Sequence, residues 1–131
     1  MLKLNIDEAV SAYMSRGIVS VESSATIRDA AKIMAETNAP LLLITKNKKP
    51  VGTITERDIL LKTIADDTDP NTVLENIIIS PIITIFGNAT TRGALTLMAE
   101  KNANHLIVES EGKLIGVFSK SNLLEIGKLK I

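Results

Sequence analysis

Seven consecutive residues, Gly52-Thr53-Ile54-Thr55-Glu56-Arg57-Asp58, hold the densest chemistry in the chain. Glycine within a strand admits close approach of a ligand or another backbone. Thr55 falls where a strand pattern gives way to a helix pattern. Its hydroxyl and the unpaired amides behind it then face outward together, a setting that favours an anion such as phosphate. Asp58, one turn on, offers two acceptor oxygens suited to a vicinal diol such as ribose, and Arg57 brings a guanidinium that can meet phosphate. The same spacing has a plainer reading. Thr55-x-x-Asp58 is the spacing of a capping box, in which the two side chains satisfy the first amides of a helix. On these seven residues alone the cap is the simpler account.

The elements that position this segment occur twice. Shifted by 64 positions, Val19 to Leu60 falls on Ile83 to Leu124 without a gap. Ala25-Thr26, Arg28, Ala30, Met34-Ala35-Glu36, Asn38-Ala39 and Gly52 meet Ala89-Thr90, Arg92, Ala94, Met98-Ala99-Glu100, Asn102-Ala103 and Gly116. Most other pairs are apolar on apolar, such as Val51 on Ile115 and Ile54 on Phe118. Two copies in so short a chain imply a pseudo-twofold module in which each copy covers its apolar face with the other, leaving a cleft between them.

Each copy reads strand, helix, strand, strand, helix. Ile18 to Val21 alternates in part, as a short strand does. Thr26 caps a helix whose apolar residues Ile27, Ala30, Ala31 and Met34 share one face, and Thr26-x-x-Asp29 repeats the capping-box spacing. Pro40 disfavours helical geometry in the residue before it, so the helix is expected to fail at Asn38-Ala39. Leu41 to Ile44 is a continuous apolar run, hence a strand buried on both faces. A polar turn at Asn47-Lys48-Lys49 leads to a returning strand, Val51 to Thr55, and a helix from Glu56 to about Ala65. The second copy is expected to place strands at Ile82–Ile85, Leu106–Glu109 and Leu114–Phe118, and helices at Thr91–Lys101 and Lys120–Ile126. Its hairpin turns at Glu111-Gly112, where glycine allows positive φ. A leading helix at Asn5–Tyr13 is expected to match one at Asn71–Ile77. The boundary drawn from the repeat assigns residues 1–66 to the first unit with its N-terminal helix, and 67–131 to the linker and second unit.

Bulk properties exclude several classes. The 131 residues carry 15 basic and 15 acidic side chains, so no long-range field draws in nucleic acid or anionic membrane. Aromatics make up 2% of the chain, too few for the stacking platforms of single-strand binders. There is no cysteine, which removes disulfides, thiolate metal sites and cysteine nucleophiles. No apolar run approaches the roughly 20 residues of a membrane span, and a cytoplasmic protein is expected. The single histidine, His105, opens a buried strand with no second His nearby, and reads as structural rather than as a metal ligand. Asp66, Asp67 and Asp69 lack the pattern of a calcium loop and read as solvated linker. Lys46, Lys48 and Lys49 read as a solvated hairpin tip. No nucleophile–base pair is visible, so the chain is not expected to be an enzyme. Ile33 beside Met34, and Ile59, Leu60 and Leu61 in a row, cannot all face one core, so a second copy of the chain is expected to cover part of the helices.

The repeat and the heptad together resemble a tandem pair of cystathionine-β-synthase (CBS) domains, the arrangement called a Bateman module. The resemblance runs from about Met14 to Ile126. Gly52, Thr55 and Asp58 match the family's Gly-x-x-Thr/Ser-x-x-Asp ending in full. The second copy, Gly116-Val117-Phe118-Ser119-Lys120-Ser121-Asn122, keeps Gly116 and Ser119 but places Asn where the family has Asp. The resemblance implies an α/β (α+β) fold of two βαββα units packed sheet to sheet about a pseudo-twofold axis, with two related clefts. It implies regulatory binding of AMP, ADP, ATP or S-adenosylmethionine, no required cofactor, a head-to-head homodimer, and a target protein that the sequence does not name. In family terms Asp58 would hold ribose hydroxyls, Thr55 would contact phosphate, and Thr53 would line the wall by its backbone, with Arg57 beside them. The base would lie against Ile82, Ile83, Asn102 and Ala103. The second, weaker cleft would use Val117, Ser119 and Asn122 with Ile18, Val19, Asn38 and Ala39. The alternative is a structural or dimerisation module with no bound ligand.

Overall fold

The computed structural model describes residues 4–77 and 80–123, and both copies fold in the order their patterns predict. In the first, β2 (Val19–Glu22) leads to α1 (Ile27–Thr37), then to the hairpin of β3 (Leu41–Lys46) and β4 (Lys49–Thr55). In the second, β5 (Thr84–Phe86), α3 (Thr91–Lys101), β6 (His105–Ser110) and β7 (Lys113–Ser119) follow the same course. The first-copy sheet has the order β2-β3-β4, with β2 parallel and β4 antiparallel to the central strand. The other sheet has the order β1-β7-β6-β5, where β1 is the two-residue strand Ser15–Arg16. This is the mixed α+β class that the sequence implies.

The local reasons are legible. Both hairpins turn through two residues at positive φ, Asn47 (52°) with Lys48 (65°) and Glu111 (51°) with Gly112 (76°), the geometry that matches strand twist. The ladders slip at Ile44/Thr45 and again at Val108/Glu109, so the same bulge occurs in both copies. Ile27, Ala30 and Met34 of α1 are buried with Leu42, Ile44 and Ile54 of the sheet. Ala94 and Met98 of α3 are buried with Leu106, Val108 and Phe118. Leu41 and Leu43 project to the opposite face of β3 and are buried too, as a continuous apolar run requires.

The first helix of each copy ends where expected, but proline is not the shared cause. α1 stops at Asn38 and α3 at Asn102, both in the left-handed conformation (φ 56° and 51°). Asparagine tolerates that region. Only the first of these ends has a following proline, so the asparagine common to both copies, rather than Pro40, is what the two terminations share. The helix expected from Glu56 to Ala65 begins as α2 (Glu56–Leu60) and widens into a π turn at Leu61–Ala65, where the Asp66 amide reaches the Leu61 carbonyl. The second-copy helix starts at Lys120, and its expected end at Leu124–Ile126 lies outside the described residues.

The two leading helices shrink to single 3-10 turns, Val10–Ala12 and Leu74–Asn76. They match across the repeat, as expected, but turns and bends flank them and their backbone groups bond elsewhere. The Val10 amide donates to Ala89 and the Ser11 amide to Gly87, while Thr91 and Arg92 donate back to Glu8 and Ile6. At equivalent positions the Leu74 amide donates to Ala25 and the Glu75 amide to Ser23, while Ile27 and Arg28 donate to Thr72 and Pro70. Each leader therefore completes the copy it does not precede in sequence. Side chains repeat the exchange: Arg28 bonds Asn71, and Arg92 meets Asp7. By contacts the chain divides into Met1–Gly17 with Ile83–Ile131, and Ile18–Ile82. This differs from the boundary at 66/67 drawn from the repeat, because sequence similarity marks the copies and spatial contact marks the compact units. Among the described residues no helix is long and apolar enough to cross a membrane.

Candidate functional site

The end of β4 delivers Thr55 to the start of α2. Gly52, Thr53 and Ile54 are buried on the strand, and Thr55 is half-exposed at its tip. Thr55 caps α2: its hydroxyl oxygen accepts from the Asp58 amide (3.2 Å), while the Thr55 amide donates to Asp58 Oδ2 (2.9 Å). The Thr55 hydroxyl donates to the same Oδ2 at 3.0 Å. Ser80, which follows the second leader in the chain, lies beside this corner. Its backbone pairs with Thr53 in both directions (2.9 and 3.2 Å), and its hydroxyl points at Asp58 Oδ2 from 3.5 Å. Every one of these bonds to Asp58 converges on Oδ2. Among the described residues Oδ1 accepts none. The cap and the ligand reading are therefore compatible, since one oxygen holds the helix start and the other stays open. Arg57 is exposed beside it.

The corresponding corner in the other unit has the same backbone and different chemistry. Asn122 Oδ1 accepts from the Ser119 amide (2.8 Å) and from the Ser119 hydroxyl (3.1 Å). Because an amide N–H must face an acceptor, this fixes which end of the carboxamide is oxygen. The nitrogen, Nδ2, then donates to the Ser15 hydroxyl at 3.0 Å. Ser119 and Ser121 share a hydroxyl contact of 2.6 Å, so the position of Arg57 is taken by a short exposed side chain bonded to the cap residue. Gly116 is required here: a Cβ would lie 2.5 Å from the Ser15 carbonyl oxygen and 2.8 Å from Met14 Sδ.

The residues expected to line the first cleft belong to two units. Thr53, Thr55, Arg57, Asp58 and Ile82 are in one, and Ile83, Asn102 and Ala103 in the other. The second set divides likewise, with Ile18, Val19, Asn38 and Ala39 apart from Val117, Ser119 and Asn122. Asn38 and Asn102 have a structural task as left-handed helix ends, and Ala39 is buried in the core. Sequence reasoning missed Ser80 and Ser15. The gapless alignment sets Ser80 opposite Arg16, but the pairing Thr53–Ser80 answers to Val117–Ser15. The first copy has one extra residue before its first strand, and Gly17 with φ of 83° stands there. A gap at that glycine would have aligned the two serines.

Elsewhere the chemistry is thinner. Among the described residues no group of three or more His, Cys, Asp and Glu side chains could hold a metal ion. Asp69 accepts from the Asn71 amide (2.9 Å) and so starts the turn into the second leader. His105 sits half-buried in β6 opposite Ser119.

A duplicated α+β unit with a polar strand-to-helix corner in each copy defines a small tandem-repeat module. The CBS domain profile matches this chain twice, at residues 10–65 and 74–128. The chain belongs to the CBS domain family. An uncharacterised protein of Methanopyrus kandleri is 30% identical over 90% of this chain, which spans 62% of that relative's length. The crystal structure of an uncharacterised conserved protein from Pyrococcus horikoshii superposes with a TM-score of 0.85 at 27% identity, covering 95% of this chain and 96% of the other. A CBS domain protein from Pyrobaculum aerophilum, solved in complex with AMP, matches with a TM-score of 0.75 at 28% identity over 92% of this chain and 98% of that one.

Proposed function

We propose that the protein is a regulatory module that binds an adenine nucleotide or adenosyl compound and passes its ligand state to a partner protein. In this reading Asp58 accepts hydrogen bonds from the ribose hydroxyls, Thr55 and Arg57 meet phosphate, and Thr53 lines the wall. Ile82 and Ile83 lie against the base with Asn102 and Ala103. The observation that carries it is the division of labour on Asp58: Oδ2 is held by the cap, and Oδ1, a charged acceptor, is open among the described residues. The AMP complex of the P. aerophilum protein supports the ligand class. Ligand that binds only the native state raises its melting temperature. A thermal-shift screen with AMP, ADP, ATP, S-adenosylmethionine and NAD is expected to give an upward shift with at least one. No response at millimolar concentration would favour the second reading, a structural module, which the complete capping box at Thr55 also supports.

The same proposal includes a homodimer. Leu60, Leu61 and Ile64 stand 61, 44 and 75% exposed on one short helical stretch. Apolar clusters of this kind mark contact surfaces. Light scattering at micromolar concentration is expected to give twice the chain mass, and replacing Leu60 and Ile64 together by Glu should give the monomer mass.

A further inference from the structure

We infer that Ser15 and Asn122 form a latch that ties β1 to the end of β7 and keeps ribose from the Ser119 corner. This rests on the nucleotide reading for what is excluded, but not for the latch itself. Asn122 is held at its oxygen and at its nitrogen within its own unit. Its oxygen accepts two bonds from Ser119, and its nitrogen donates to Ser15. The Ser119 hydroxyl, the counterpart of Thr55, is further held by Ser121. A sugar hydroxyl arriving here finds both acceptor sites of the carboxamide oxygen taken and Ser15 seated on one N–H of the nitrogen. At the Asp58 corner the approaching serine, Ser80, can only donate, since the carboxylate has no proton to give. Its contact is long, and it falls on the oxygen that the cap already uses. One change from carboxylate to carboxamide thus reverses the hydrogen bond of the serine and turns an open corner into a closed one. Ser15 acts through Asn122 and is a positioning residue. The latch also gives the first leader a side-chain anchor beyond the two-residue ladder of β1.

The ligand-free arm of the test is an NMR measurement on the full chain. The Asn122 side-chain NH2 protons are expected to exchange at least tenfold more slowly than those of exposed Asn88. Ser15→Ala should remove that protection and Ser15→Thr, which restores a hydroxyl, should return it. Equal exchange in the wild-type chain, or protection that survives Ser15→Ala, overturns the latch. The ligand arm uses AMP in an Asp58→Ala background, where the first corner is disabled. Adding Ser15→Ala is expected to strengthen residual AMP binding by about tenfold, and Ser15→Thr to leave it unchanged. Equal affinity with and without Ser15→Ala overturns the claim that the latch excludes ribose. If the wild-type chain binds no adenosine compound at all, the nucleotide reading fails, and the exchange measurement still decides the latch.

Discussion

The two strand-to-helix corners share a backbone and differ by one functional group. At Thr55 the serine that follows the leader donates towards a carboxylate, weakly, at 3.5 Å. At Ser119 the matching serine accepts from a carboxamide at 3.0 Å. One bond of the cap is common to both, since Asp58 Oδ2 and Asn122 Oδ1 each take the amide of the residue three positions earlier. Either side chain caps a helix. What the exchange alters is the second polar atom. Asp58 keeps an oxygen that accepts no hydrogen bond among the described residues, whereas Asn122 presents a nitrogen that gives one of its two N–H groups to Ser15. A duplicated fold can thus keep its geometry through the cap while its two sites diverge in chemistry.

The largest effect that would break this comparison belongs to Asp58→Ala. It is expected to weaken AMP binding by on the order of 1–3 kcal/mol, because ribose loses hydrogen bonds to a charged acceptor. The lost cap should lower stability by about 1 kcal/mol. Calorimetric titration beside a denaturation curve reads both quantities. If stability falls while affinity stays, Asp58 is a cap and nothing more.

Asn122→Asp should narrow the difference between the corners. Ser15 would then donate to the oxygen that replaces Nδ2, and that oxygen would keep an acceptor lone pair for a ligand. Charge-assisted hydrogen bonds are about twice as strong as neutral ones, so AMP affinity at this corner should rise by about tenfold. Titration of Asn122→Asp in the Asp58→Ala background isolates the effect. An unchanged isotherm would mean that the charge of Asp58 is not what separates the two sites.

Much of this comparison is written in the sequence. Apolar periodicity placed α1 and α3, the four-residue apolar run placed β3, and the repeat made each element count twice. The Gly-x-x-Thr/Ser-x-x-Asp/Asn ending located both corners. The leaders were less legible. Asn5–Tyr13 and Asn71–Ile77 contain enough apolar residues to suggest helices, but their backbone groups pair with distant residues, such as Val10 with Ala89. Local pattern carries no trace of such bonds. Ser15 and Ser80 were hidden for a related reason, since their equivalence depends on pairing register, displaced by one residue at Gly17.

The smallest predicted effect contrasts the first turns of α1 and α3. Thr26 and Asp29 form a complete capping box, with the Thr26 amide on Asp29 Oδ2 at 3.0 Å and the Asp29 amide on the Thr26 hydroxyl at 3.1 Å. In α3 the matching residue is Gly93, so Thr90 caps with its hydroxyl alone at 3.0 Å. The Thr26 amide, followed by its hydroxyl, holds the Asp29 carboxyl below the usual carboxylate range. A depressed carboxyl contributes stability that is present above its unfolded value, about pH 4, and is lost as pH falls through the folded value. Amide exchange at Thr26 should therefore accelerate, relative to Thr90, on acidification below about pH 4. Gly93→Asp should transfer this behaviour to α3 and, by replacing a helical glycine, stabilise the protein by roughly 0.5–1 kcal/mol. The new Cβ would sit 3.3 Å from the Thr90 hydroxyl, a tight approach. Asp29 occupies the equivalent position beside Thr26 with both capping bonds intact, so the site can accept it. Destabilisation by Gly93→Asp, or equal acid sensitivity of the two wild-type helix starts, would contradict this account of the caps.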